Sequence, residues 1–100
     1  MASQFKEDKI IQKLKRCIFE GLKDEEVKIV LFGSRVRGKV YSDIDIGLIP
    51  KKEMDRKKIT LLRETIEELN IPYKVDIVEF SLASPEFKKE ALKEVVVWKD

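Results

Sequence analysis

The sequence predicts an α+β fold with α/β-like order: a small mixed sheet of three or more strands, with helices packed on one face. Three observations carry that expectation. Short, β-branched apolar runs alternate with longer stretches whose apolar residues recur every three or four positions. Glycine or proline stands at the end of these segments, at Gly33, Pro50 and Pro72. The 100 residues contain no repeat, linker or low-complexity tract, which fits one compact domain spanning residues 1–100.

Taken in order, Gln4 to Lys23 reads as a helix because Ile10, Ile11, Leu14, Ile18 and Leu22 fall on one stripe. Cys17 lies beside that stripe and reads as a small core residue. Val27 to Phe32 is apolar, β-branched and stopped by Gly33, so it reads as a strand. A polar stretch from Gly33 to Ser42 leads to a second strand, Asp43 to Ile49, which alternates and ends at Pro50. Between Lys51 and Asn70 the residues Ile59, Leu62, Ile66 and Leu69 mark an amphipathic helix. Tyr73 to Phe80 is a third strand. Ser84-Pro85-Glu86 then opens a helix, with a capping hydroxyl, proline in the first turn and an acid beside it. Phe87, Ala91, Val95 and Trp98 fall on one face, so this helix is expected to run to the C-terminal Trp98.

That order constrains geometry. Strands one and two, joined by a short polar connection, are expected to pair antiparallel, whereas the helical crossover to strand three favours parallel pairing. Alternation places Asp43 and Asp45 on one face and Ile44, Ile46 and Leu48 on the other. Asp76, near the start of strand three, is expected level with them, close to the turn at Gly33.

Composition removes several chemistries. Histidine is absent and Cys17 is the single cysteine, which excludes an internal disulfide, Cys/His zinc sites and Ser-His or Cys-His hydrolases. Charged residues make up 40% of the chain, yet the formal net charge is only +2, so charge alone does not indicate nucleic-acid binding. There is no apolar signal core and no apolar run of spanning length, so a soluble cytoplasmic protein with no membrane association is expected.

An enzyme so built must work with carboxylates and hard metal ions. Clustered acids repel unless a cation offsets them, and magnesium favours oxygen ligands. Paired ions bridged by carboxylates serve in-line phosphoryl and nucleotidyl transfer. Taken alone, Asp43-x-Asp45 is better explained as acids that cap or decorate an edge strand. Gly33-Ser34-Arg35 alone is better explained as a plain turn, and Arg35, Arg37 and Lys39 are open to two readings, phosphate contacts or simple solvation. Together the parts are more specific. Phe32-Gly33-Ser34-Arg35-Val36-Arg37-Gly38, then Ser42-Asp43-Ile44-Asp45-Ile46, then Val75-Asp76-Ile77-Val78 resembles the signature of minimal nucleotidyltransferases of the DNA polymerase β superfamily. The resemblance covers roughly Val27 to Phe80.

The resemblance implies a palm-type nucleotidyltransferase fold and magnesium-dependent transfer of a nucleoside monophosphate from ATP or another nucleoside triphosphate. It assigns Gly33 and Ser34, with Arg35 and Arg37, to nucleotide binding. It assigns Asp43, Asp45 and Asp76 to catalysis and to holding two Mg²⁺ ions, Asp76 also assisting the base. One departure is visible: eight residues separate Ser34 from Asp43, where the family more commonly has about ten. Small relatives of this kind resemble the antitoxin half of modules whose other half is a helical HEPN toxin, which is adenylylated on a tyrosine. A HEPN-type partner and an antitoxin role are therefore the first expectation. A free-standing transferase acting on an aminoglycoside-like small molecule, as a homo-oligomer, is the second. A non-catalytic partner-binding module is the third, although such a binder has no physical reason to keep three clustered acids. Trp98 is open to two readings, core residue or exposed anchor for a partner.

Overall fold

The computed structural model describes residues 2–38 and 42–100, and the side chains from residue 9 onward outside 39–41. The chain divides into two compact units. The first comprises Met1–Asp24 and Asp55–Pro72 and contains two helices, α1 (Ala2–Gly21) and α2 (Arg56–Glu68). Their apolar stripes are those expected from the spacing. Leu14, Ile18 and Leu22 of the α1 segment are buried, as are Ile59, Leu62 and Ile66 of α2. Asp55 caps α2 by accepting a hydrogen bond from the Lys57 amide at 2.9 Å, which sets the helix start at Arg56, six residues beyond Pro50. A groove of about 490 Å³ runs between the two helices, lined by Arg16, Cys17, Leu61, Leu62, Thr65 and Leu69 among others. Cys17 is thus half-buried at a groove wall, and burial pushes its thiol above the ordinary range. Among the described residues no helix is long and apolar enough to cross a membrane.

The second unit, Glu25–Met54 with Tyr73–Asp100, holds the sheet. Its strands are β1 (Val27–Phe32), β2 (Ile44–Pro50), β3 (Val75–Glu79) and β4 (Val96–Lys99), in the spatial order β3-β2-β1-β4. β1 and β2 are antiparallel, with Val27 opposite Pro50 and Phe32 opposite Asp45. β2 and β3 are parallel, with Asp45 opposite Asp76 and Ile46 opposite Ile77. Both pairings follow from the connections, a short polar segment in one case and a helical crossover in the other. Ile29, Ile44, Ile46 and Leu48 are wholly buried, and Ile77 nearly so.

The opposite row of side chains builds a second cluster. Val30, Phe32 and Phe80 are buried together, flanked by Ile49, Val78, Ala91 and Val95. Phe80 opens a short 3₁₀ turn (Phe80–Leu82) that leads to α3 (Pro85–Ala91). Ser84 caps α3 by accepting from the Phe87 amide at 3.1 Å. Phe87 completes a triangle of edge-to-face rings, 6.0 Å from both Phe32 and Phe80. α3 therefore lies over the sheet row that contains Phe32.

One expectation is corrected. The last helix does not reach Trp98: it ends at Ala91, and Val96–Lys99 forms β4, antiparallel to β1 with Val97 opposite Val30. The Val95-Val96-Val97 run matches helical spacing but loses side-chain freedom in a helix and packs well on a pleated surface. The open flank of β1 decides the outcome, because its backbone groups need partners. Trp98 is half-buried within that strand, while Val96 and Val97 are exposed.

Candidate active site

Beyond Phe32 the backbone tightens at once. The amides of Val36, Arg37 and Gly38 donate to the carbonyls of Gly33, Ser34 and Arg35 at 3.1, 3.0 and 3.2 Å. Each bond spans three residues, so the segment is a single helical turn set directly on the end of a strand. The first amides of such a turn precede its own ladder and suit an anion. Ser34 stands at that start and is half-buried.

Gly33 brings the turn against the acids. Its φ is +85°, and a Cβ placed there would run into Asp45 Oδ2 and lie 3.3 Å from Asp45 Cγ. The Asp45 carboxylate thus rests against bare backbone. In the ladder Asp45 is opposite Phe32 on one side and Asp76 on the other. Asp43, one residue before β2, is exposed, whereas Asp45 and Asp76 are half-buried. Lys74 Nζ lies 3.9 Å from Asp76 Oδ2. Burial, then the negative charges of Asp76 and Asp43, push the Asp45 carboxyl above its ordinary value, and Lys74 pulls it back down.

Crowding of this kind is what a bound cation would relieve. The donors are all carboxylate oxygens, the class preferred by magnesium. Among the described residues no three Asp, Glu, Cys or His close into a cage around a point. Magnesium seldom needs one, since it is commonly held by one or two carboxylates with the substrate's phosphates. The side-by-side pair Asp45 and Asp76, with Asp43 near enough to shift Asp45, fits that arrangement.

The two arginines of the turn differ. Arg37 is exposed. Arg35 is engaged inside the protein at 7% exposure. Its Nη2 donates to the Ser42 carbonyl at 2.7 Å, and its guanidinium carbon lies 4.5 Å from the centre of the Tyr73 ring. Tyr73 and Lys74 are the residues that sequence reasoning passed over. They precede β3, and nothing in their alternation separates them from ordinary strand residues.

Comparison with known proteins agrees with this geometry. Residues 9–100 match the family described as "Polymerase beta, Nucleotidyltransferase". Over 68 residues the chain is 35% identical to the "Probable protein adenylyltransferase MntA" of Haemophilus influenzae. That match covers 66% of this chain and 60% of the relative, so the chain spans three fifths of that relative's length. A Shewanella oneidensis structure of a tri-AMPylated HEPN toxin in complex with MNT antitoxin superposes with a TM-score of 0.62 at 25% identity, over 89% of this chain and 72% of that one. A toxin-antitoxin crystal structure with AMP-PNP shares the fold, with a TM-score of 0.64 at 24% identity over 86% and 73% of the two chains. Because the family pattern extends over almost the whole sequence and the strand order sets its acids beside its glycine turn, this chain belongs to the polymerase β nucleotidyltransferase family.

Proposed function

We propose that the protein is a protein adenylyltransferase and antitoxin, transferring AMP from ATP to a tyrosine of a HEPN-type helical partner. The observation that carries this reading is the alignment of Asp45 with Asp76 across a parallel pair, against the backbone of Gly33. The similarity to a protein adenylyltransferase, and to a complex containing an AMPylated HEPN toxin, supports the acceptor class. Asp43, Asp45 and Asp76 would hold magnesium, two ions in this reading, which supplies charge neutralisation at the phosphates. Ser34, the first amides of its turn and the exposed Arg37 would bind the β- and γ-phosphates. The acceptor hydroxyl forms a bond to the α-phosphorus, the bond from that phosphorus to pyrophosphate breaks, and Asp76 receives the hydroxyl proton.

The test is incubation with α-labelled ATP, Mg²⁺ and, in separate reactions, a HEPN protein or an aminoglycoside. Label on a tyrosine of the partner, lost with Asp45→Asn, is the expected result. Label on an aminoglycoside with none on the partner would replace the acceptor assignment. Absence of label on any acceptor would sink the enzymatic reading.

A further inference from the structure

Arg35 is the one buried charged side chain among the described residues. A buried guanidinium is costly unless its surroundings compensate it. Its contacts join three separate segments. The residue belongs to the turn that begins at Gly33. Its Nη2 donates to the carbonyl of Ser42, the residue before Asp43, at 2.7 Å. Its plane faces the ring of Tyr73 at 4.5 Å, three residues before Asp76. A backbone bond from Ile44 N to Lys74 O at 2.8 Å closes the same corner. The three segments are those that carry Ser34, Asp43 with Asp45, and Asp76.

We propose that Arg35 is a positioning residue: seated on Tyr73 and bonded to the Ser42 carbonyl, it holds the starts of β2 and β3 against the glycine turn and so fixes the spacing of Asp43, Asp45 and Asp76. This rests on the reading in which those acids bind the divalent ion. The role needs arginine in particular. A planar guanidinium can stack on a ring through its face while donating through its edge, and a lysine ammonium offers neither geometry. Tyr73 serves through its ring, so phenylalanine should replace it.

The experiment measures ATP affinity by calorimetry, in EDTA and in Mg²⁺, for wild type, Arg35→Lys, Tyr73→Leu and Tyr73→Phe. Thermal melts establish that each variant is folded. Arg35→Lys and Tyr73→Leu are expected to keep the wild-type affinity in EDTA and to lose about tenfold of the Mg²⁺-dependent gain, as when partners behind a metal ligand are removed. Tyr73→Phe should match wild type. If Arg35 contacts phosphate directly, Arg35→Lys lowers affinity in EDTA while Tyr73→Leu does not, and the positioning role is overturned. Lowered melting temperatures with an undiminished Mg²⁺ gain in both variants would also overturn it, leaving a purely structural arginine. A wild-type protein with no Mg²⁺ gain would remove the metal reading itself, an outcome distinct from failure of the clamp.

Discussion

Two independent constraints meet at Gly33. Its φ of +85° disfavours any side chain, and the space a Cβ would take is already filled by the Asp45 carboxylate. The backbone strain alone is about 1–2 kcal/mol. In a domain of this size that lowers Tm by roughly 4–8 °C per kcal/mol. Gly33→Ala is therefore expected to lower Tm and, by displacing Asp45, to abolish Mg-ATP binding; thermal melts with and without Mg-ATP check both parts. The neighbouring acid carries a pH dependence. The Asp45 carboxyl is raised from its ordinary 3.8, chiefly by burial and then by Asp76 and Asp43. The folded chain then holds that proton more tightly than the unfolded chain does. Its stabilising contribution is full below 3.8 and is lost as pH rises through the raised value. Asp45→Asn should accordingly raise or preserve the metal-free Tm at pH 7, with the advantage shrinking as acid protonates the wild type. Melts of both proteins across pH 3 to 7 would read this, and an advantage that grows in acid would contradict it.

Elements show where a sequence suffices. β1 has the boundaries its composition demands, because a β-branched run ending in glycine leaves no competing assignment. The start of α3 is equally plain, since a capping serine, a proline at the first helical position and Glu86 in the first turn together mark a helix start. β4 was not legible: Val95 and Trp98 satisfy a helical stripe, and only the bare flank of β1 turns Val96–Lys99 into a strand. At the site, alternation alone puts the acids on one face, but the seat of Arg35 depends on Tyr73, which arrives by a parallel pairing that no local signal encodes. Gly47 illustrates the same limit. A Cβ there would meet Phe80 Cζ at 2.8 Å and Val30 Cγ2 at 3.0 Å, so Gly47 makes room for the ring that anchors the 3₁₀ turn. Overpacking of this kind costs about 1–3 kcal/mol. Gly47→Ala should lower stability by that amount in denaturant titrations, and adding Phe80→Leu should recover part of it.

For the molecule as a whole, nucleotide and metal are expected to act as one ligand of the folded state. Saturating Mg-ATP at a hundred times its Kd stabilises a folded protein by about 2.7 kcal/mol. Asp43→Asn and Asp76→Asn should leave metal-free stability unchanged or slightly higher, yet erase that gain; strong destabilisation of either metal-free variant would mark its acid as structural. The position of β4 has a different kind of consequence, one of timing. β1 and β2 lie close in the chain and can zip together early, whereas the strand that covers the other side of β1 is made only after both of them and β3. Until then Val27–Phe32, apolar except for Lys28, presents an uncovered edge whose backbone groups can recruit strands from other chains. Val96–Lys99 is then the chain's own guard against self-association during synthesis. Removing residues 96–100 should make the protein aggregate more on refolding than the intact chain, with light scattering rising before any change in the helical signal.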